Sequence, residues 1–223
     1  PVVLGGHHVT YAPQDALAQA PHFDVGVMGE GEQTFLELCQ GYARQGRAPE
    51  FAAIPGLAYR SGEGVALSEQ RPLIEDLDSV PAPRRDLALF PERFHPSHYA
   101  SLIYGRGCPW RCRFCSSKLF WHRRTRMRSP ENCLAEIRDL ISRFGVKQFM
   151  FWDDAFSVNR KVILRFCEAA AASGLGFTFR TATRADLAVD EDLVALMKRA
   201  GCVELTLGVE SGSPRVLEQI KKD

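Results

Sequence analysis

Between residues 101 and 223 a short apolar run is followed by a helix-like segment four times over, and this alternation leaves few folds open. Ser101–Tyr104 reads as the first strand. Lys147–Trp152 (KQFMFW), Phe177–Ala182 and Val203–Val209 read as the next three. The helices between them carry start and stop signals. Ser129 caps one whose first residue is Pro130, and Gly145 ends it after Phe144. Asn159 opens a second that runs to Ser173 and stops at Gly174. Asp190–Ala200 is the third, followed by Gly201, and Ser213-Pro214 opens a fourth that is still running at Asp223. Strands alternating with helices imply a parallel sheet. Repeated right-handed βα units make a barrel or part of one. Four units leave a sheet edge and the interior open, so the expected fold is α/β, a (β/α) barrel or part of one.

Residues 1–48 show the same alternation. Val2-Val3-Leu4 is a short strand ending in Gly5-Gly6, and Ala12–Ala20 is a modest helix. Phe23–Met28 is a second strand ending in Gly29-Glu30-Gly31. Glu32–Arg44 is a helix expected to turn Phe35, Leu36 and Leu38 inward. Glycines at the carboxyl ends of parallel strands line the crevice where open α/β sheets bind ligands, or they serve only the turns. His7 and His8 are adjacent, so they point different ways and read as turn or pocket-rim residues. Residues 49–100 read as a connector. A hairpin runs from Ile54 to Leu67 across Ser61-Gly62-Glu63-Gly64, and a proline-punctuated linker follows at Asp76–Pro83. His95 and His98 read as surface or packing residues. The chain starts inside a strand, so it is expected to be cut within a domain.

The first strand of the barrel leads into GRGCPWRCRFCSS, where Cys108, Cys112 and Cys115 follow a C-x3-C-x2-C spacing. A short glycine-flanked loop has no core of its own to bury thiols in, so a shared metal centre is the natural reason for three of them. Thiolates suit zinc, copper(I) or an iron–sulfur cluster. A closed zinc site wants four ligands, with His122 or Cys133 as the candidate fourth, but no second C-x2-C pair exists. Three cysteines on a four-iron cubane leave one iron open. Unliganded core cysteines are the remaining reading.

Other polar groups gather where later strands end, the position that carries function in such folds. These are Asp153-Asp154 after the second strand, Arg180, Thr181, Thr183 and Arg184 on the third, and Glu210-Ser211-Gly212 after the fourth. A solvated loop is the plain alternative for each. Lys118–Arg128 is basic and aromatic, which admits RNA binding, a solvated loop or an anionic ligand. The formal net charge of +1 gives no general pull toward nucleic acid or membrane. No apolar run reaches the length of a membrane span. Seven cysteines, an odd number with three clustered, suit metal binding in a reducing, cytoplasmic setting better than a disulfide framework.

C-x3-C-x2-C with the aromatic Phe114 before its last cysteine resembles the signature of the radical S-adenosylmethionine enzymes. The resemblance implies that Cys108, Cys112 and Cys115 hold a [4Fe-4S] cluster. Its open iron is chelated by the amino and carboxylate groups of S-adenosylmethionine, and its reduction yields a 5′-deoxyadenosyl radical that abstracts hydrogen from a substrate carbon. FWDDAF and GVESGS are similar to family motifs after the second and fourth strands. They imply Asp153 and Asp154 for the methionine ammonium, Arg180 or Arg184 for its carboxylate, Glu210 and Ser211 for the ribose, and Phe114 near the adenine. VVLGGHHVT…FDVGVMGEGEQTFLEL is similar to the end of the Rossmann-like cobalamin-binding domain that precedes many such barrels, and the Leu77–Pro83 linker resembles theirs. Gly5 and Gly6 are then expected near the nucleotide tail of cobalamin, with Gly29, Glu30 and Gly31 as further cofactor-binding residues. The implied architecture is α/β: the end of a cobalamin-binding domain over 1–48, a hairpin and linker over 49–100, and a partial radical S-adenosylmethionine barrel over 101–223.

The implied activity is hydrogen abstraction with cobalamin-dependent methyl transfer, or else cyclisation or rearrangement without it. The alternative of another class is a zinc- or cluster-binding module that recognises RNA. The implied partners are a small-molecule or lipid-like substrate and an electron donor such as flavodoxin or ferredoxin, with no nucleic acid. A fragment with an incomplete barrel is not expected to turn over by itself.

Overall fold

The structure, a computed structural model, describes residues 1–222, which form two compact units meeting at the bond between Glu75 and Asp76. In the first unit β1 (Val3–Gly5) and β2 (Val25–Val27) pair in parallel. Two short helices, α1 (His7–Tyr11) and α2 (Pro13–Gln19), cross between them, and α3 (Gly31–Gln45) follows. The hairpin of β3 (Leu57–Ser61) and β4 (Gly64–Leu67) adds to the same sheet, β3 lying antiparallel to β2. The strands expected in a connector are therefore the outer half of this sheet, in the order β1-β2-β3-β4.

Two expectations for this unit are corrected. Phe35 and Leu36 are 49% and 55% exposed, and Thr34 and Leu38 occupy the inner stripe of α3 instead. The helix is turned by Thr34, whose hydroxyl donates to the Pro55 carbonyl at 3.0 Å and accepts from Arg71 Nε at 2.7 Å. Leu38, one turn on, then packs with Val25, Val27 and Leu57. His7 and His8 are the first two residues of α1 rather than a turn, and His8 Nε2 lies 3.3 Å from Asp15 Oδ2.

The second unit opens with single-turn 3-10 helices and then the short strand β5 (Ser101–Leu102). His95 and His98 sit in one of those turns, where His98 Nδ1 accepts the His95 backbone N–H, a packing role. Next come β6 (Gly105–Arg106), the one-turn helix α4 (Ser117–Phe120) and β7 (Arg126–Met127). The remaining elements are α5 (Pro130–Phe144), β8 (Gln148–Phe151), α6 (Arg160–Ala172), β9 (Thr178–Arg184), α7 (Glu191–Arg199), β10 (Cys202–Gly208) and α8 (Pro214–Ile220). Strands β5, β8, β9 and β10 form a parallel sheet in that spatial order. Helix α8 ends at Ile220, with Lys221 in the left-handed region, so it stops short of the expected end; Asp223 lies outside the described residues.

The caps act where the sequence puts them. Ser129, Asn159 and Asp190 each accept a backbone N–H from the first turn of their helix, and Gly145 takes a left-handed φ of 67°. The core beneath the sheet is aromatic. Tyr104, Phe151, Phe156, Phe166 and Phe179 are all fully buried, and the Tyr104 and Phe166 ring centroids lie 4.8 Å apart. Stacked and edge contacts of this kind add to area burial, and deleting one ring costs about 3–5 kcal/mol. This core backs the strand ends from which the cysteine loop departs. No helix among the described residues is long and apolar enough to cross a membrane.

Candidate functional site

The three cysteines lie on the segment between β6 and β7, two short strands paired antiparallel with Gly105 opposite Met127. Two glycines make this closure possible. A Cβ on Gly105 would enter the Met127 sulfur, and one on Gly107, whose φ is 96°, would overlap the Arg124 carbonyl. Beyond the ribbon the Arg128 N–H donates to the Tyr104 carbonyl at 2.9 Å. The Arg128 guanidinium reaches Glu136 Oε2 at 2.6 Å, and Arg85 reaches Glu136 Oε1 at 2.7 Å. Glu136 is buried on α5, so one acid anchors both the linker and the loop's return. Its only sequence signal is an acid set among the inward-facing positions of an amphipathic helix.

The entry to the loop is held by the two acids after β8. Asp153 is buried and accepts the N–H of Tyr104 at 3.1 Å and that of Gly105. Asp154, exposed, accepts the N–H of Gly107 at 3.2 Å. Burial pushes the Asp153 carboxyl up to about 7, against the pull of the two N–H donors. Both Asp153 oxygens are thus directed at the loop backbone rather than at an incoming ammonium. The acids act here as the loop's clamp, a role that depends on strand register and is not readable from FWDDAF.

Cys112 is buried, while Cys108 and Cys115 are half-buried. Burial raises the Cys108 thiol against the pull of the Trp110 backbone N–H, and negative charge on Asp154, Cys115 and Cys112 raises it further. Among the described residues no three His, Cys, Asp or Glu side chains are drawn together as a metal cage; the thiols are gathered on one loop but not converged. The surroundings nevertheless fit a sulfur-ligated cluster. Arg184 Nη1 stands 3.9 Å from Cys112 Sγ. The Ser117 hydroxyl, two residues past Cys115, is buried with no partner. The Cys115 N–H donates to the Cys112 carbonyl at 3.2 Å, and Lys118 Nζ donates to the same oxygen at 3.1 Å. The zinc alternative loses its ligands. Cys133 is fully buried in the core with its thiol pushed up by desolvation, and His122 is an exposed residue of the loop.

The two candidate arginines separate. Arg184, at the end of β9, is buried. It donates to Asp186 through Nε at 2.8 Å and Nη2 at 3.2 Å, and stacks 4.6 Å from the Trp110 ring centroid. Arg180 is exposed, 3.6 Å from Glu204 on β10, and does not reach the loop. Glu210 takes a φ of 61° and pairs with Lys222 Nζ at 2.8 Å. The same ammonium lies 5.8 Å from the centroid of Phe114, which is exposed. Ser211 Oγ accepts the Ser213 N–H at 3.1 Å. Phe114 and Glu210 thus share Lys222 as a neighbour, and the Arg113 N–H donates to the Ile220 carbonyl at 2.8 Å. Lys222 carried no sequence signal.

In the first unit the two glycine turns are brought together by Thr10, a residue the sequence did not mark. Its hydroxyl donates to the Gly6 carbonyl at 2.8 Å and accepts from the Gly29 N–H at 3.0 Å. Gly6 and Gly29 have φ of 100° and 68°, and a Cβ on Gly5, Gly6 or Gly29 would meet nothing within 4 Å. That open space is what a ligand approaching the backbone needs. Gly31 begins α3, where a Cβ would come within 3.3 Å of Val27. Glu30 is turned inward instead, and accepts the Ile74 N–H at 2.7 Å.

Comparison with known proteins agrees with this geometry. An uncharacterized methyltransferase of Pyrococcus horikoshii is 35% identical over 222 residues, which cover 99% of this chain and 48% of the relative. The anaerobic magnesium-protoporphyrin IX monomethyl ester cyclase of Cereibacter sphaeroides is 32% identical over 229 residues, covering 99% of this chain and 37% of that one. This chain therefore spans less than half the length of these relatives. Among solved structures, the radical S-adenosylmethionine methyltransferase TsrM from Kitasatospora setae, with cobalamin and a [4Fe-4S] cluster bound, superposes with a TM-score of 0.79. At 18% identity, over 97% of this chain and 44% of that one, the likeness is one of fold. The profile of the Radical SAM superfamily matches residues 102–223, from β5 through the cysteine loop onward, and the chain belongs to that superfamily.

Proposed function

We propose that this chain is part of a cobalamin-dependent radical S-adenosylmethionine enzyme, in which Cys108, Cys112 and Cys115 hold a [4Fe-4S] cluster. The observation that carries the reading is the loop itself. Three thiols sit on one ribbon-closed segment at the carboxyl end of a parallel strand, pinned by Asp153 and Asp154, with a buried guanidinium 3.9 Å from Cys112 Sγ. When bound, the cluster supplies the electron that splits S-adenosylmethionine to the radical that abstracts substrate hydrogen. The protein's part is binding and orientation. Asp153 and Asp154 fix where the loop leaves the sheet. Arg184, held by Asp186 and Trp110, presents positive charge to the sulfur side of the site. Arg184 is also the better placed of the two arginines for the methionine carboxylate, and Phe114, Glu210 and Ser211 border the same end of the sheet.

The first unit is read as the end of a cobalamin-binding domain, with the Thr10-linked turns Gly5-Gly6 and Gly29-Glu30-Gly31 as its ligand-facing edge. The relatives' names divide between methyl transfer and cyclisation. Methyl transfer is the leading reading and cyclisation the second. The substrate is taken to be a small or lipid-like molecule, the reductant a flavodoxin- or ferredoxin-type protein, and the setting cytoplasmic.

The test is anaerobic reconstitution with iron and sulfide, followed by metal and sulfide quantitation and equilibrium dialysis against hydroxocobalamin. The expected result is a cubane complement of iron and sulfide that is lost in each of Cys108→Ala, Cys112→Ala and Cys115→Ala, with cobalamin retained by all four proteins. Zinc uptake in preference to iron, unchanged by Cys112→Ala, sinks the cluster reading. Cobalamin passing freely through the dialysis sinks the reading of the first unit.

A further inference from the structure

Helix α8 ends in a turn that is usually made by glycine. The Lys222 N–H donates to the Leu217 carbonyl at 2.9 Å and the Lys221 N–H to the Glu218 carbonyl at 3.0 Å, with Lys221 left-handed at a φ of 54°. A side chain in that conformation is strained, which is why glycine is favoured there. The Arg113 N–H, on the cysteine loop, donates to the Ile220 carbonyl at 2.8 Å and pins the same turn. The outcome is the placement of Lys222. Its side chain is only 12% exposed, with Nζ 2.8 Å from Glu210 Oε1 and 5.8 Å from the Phe114 ring centroid. A Cβ on Gly208, the last residue of β10, would come within 2.8 Å of that Nζ and 3.2 Å of Glu210 Oε1. The strand therefore ends without a side chain where the ion pair lies.

Glu210 is left-handed too, at a φ of 61°. Only five non-glycine residues among those described take a left-handed φ, and Glu210 and Lys221 stand on the two sides of this one contact. Strain of this kind gathers at sites where a side chain has to be aimed. A solvated surface ion pair needs no such aim and contributes little. Lys222 engages Oε1, and among the described residues none donates to Oε2.

We propose that Lys222 is a positioning residue for a bound nucleoside. It holds Glu210 by Oε1 and leaves the rest of the carboxylate aimed at the ribose hydroxyls, beside the Phe114 ring. The inference rests on the S-adenosylmethionine reading above, in which that nucleoside is the adenosine half of the cofactor, and adds a residue outside the sequence motifs. A carboxylate accepts ribose hydroxyls through charge-assisted hydrogen bonds. One whose rotamer is already fixed loses less freedom on binding. The plain alternative is that Lys222 only closes the end of α8. It would then affect a nucleoside with ribose hydroxyls and one without them alike.

The experiment measures calorimetric binding of adenosine and of 2′,3′-dideoxyadenosine to the whole chain, before and after reconstitution with iron and sulfide. The proteins are wild type, Lys222→Met, Glu210→Gln, the double variant Lys222→Met/Glu210→Gln, and Gly208→Ala. Lys222→Met should weaken adenosine about 5- to 20-fold and dideoxyadenosine by less than about 2-fold, because only adenosine has hydroxyls for Glu210. Gly208→Ala should reproduce that contrast with both charges present, since its methyl group displaces the ammonium. It carries the comparison should Lys222→Met fail to fold. In the double variant the two losses should overlap rather than add, because both act through one carboxylate. Equal losses for the two nucleosides overturn the proposal. So do an adenosine affinity unchanged by Lys222→Met, fully additive losses, and a wild type that binds adenosine no better than dideoxyadenosine. If no cluster assembles, the cluster reading fails by itself, and the contrast between the nucleosides is judged on the unreconstituted chain. If the contrast is found and the reconstituted chain does not bind S-adenosylmethionine, the cofactor reading fails and the nucleoside site is supported.

Discussion

Asp153 shows how far one residue's role can depart from what its type suggests. An acid after an apolar strand reads as a ligand for a cation, yet this one is buried with both oxygens on the backbone N–H groups of Tyr104 and Gly105. Its carboxyl, pushed up to about 7 by burial, binds a proton in the folded state at pH values where the unfolded chain has released it. Stability then falls as pH rises from about 4 to about 7, by at most about 1.4 kcal/mol per unit from this group, and is level in this respect above 7. Asp153→Asn removes that slope. It also sets an amide donor against a backbone donor, so a loss of about 1–3 kcal/mol is expected at neutral pH. Urea unfolding of both proteins at pH 5, 6, 7 and 8 checks the sign, and parallel profiles would contradict it. Arg184 invites a different test. Replacing it by Gln removes the charge 3.9 Å from Cys112 Sγ while keeping a donor. The expected result is a cluster that assembles but is harder to reduce, read as a lowered midpoint in a redox titration. An unchanged midpoint would mean that the guanidinium does not act on the cluster.

At the level of elements, the parts that were legible are those whose information is local. Ser129, Asn159 and Asp190 cap the helices they precede because a side-chain oxygen three residues before an open N–H needs no tertiary context. The parallel order of β5, β8, β9 and β10 follows from crossover helices that return the chain to the same end of the sheet before each new strand. The ribbon of β6 and β7 was not legible, because two-residue strands carry no periodicity and their pairing closes the long gap between Arg106 and Arg126. The inner face of α3 was not legible either, since Phe35 and Leu36 are as apolar as Leu38 and only the Thr34–Pro55–Arg71 contact selects among them. Within the candidate site, the gathering of three cysteines on one loop was readable from spacing alone. The division of labour between Arg180 and Arg184 was not, because it turns on which one stands at the strand's end beside Trp110. The ribbon gives a sharp prediction. Gly107→Ala places a methyl group against the Arg124 carbonyl and must open the closure. Iron uptake should drop severely, while the melting temperature of the aromatic core falls by only a few degrees. Full iron uptake in this variant would show that the ribbon does not shape the loop.

For the molecule as a whole, the exposed apolar surface is as informative as the core. Strand β10 is the last in its sheet, and Val203, Leu207 and Val209 are exposed along it or just beyond it. Such an edge pairs readily with other chains. In solution this polypeptide should self-associate with rising concentration, and Val203→Lys should suppress that with a change in stability within about 1 kcal/mol, as sedimentation velocity and thermal melts would report. Association unaffected by the lysine would place the contact elsewhere. A cationic loop in a chain whose remaining residues lean acidic, and a pair of glycine turns joined by Thr10 in the first unit, are the two regions proposed to face ligands. The account stands or falls on the first of these. The most direct measurement is low-temperature electron paramagnetic resonance of the reconstituted, reduced chain with and without S-adenosylmethionine, with Cys112→Ala beside it. A cubane signal that shifts when S-adenosylmethionine is added and is missing from the variant is the predicted result. A signal indifferent to S-adenosylmethionine, or one that survives Cys112→Ala, would contradict it.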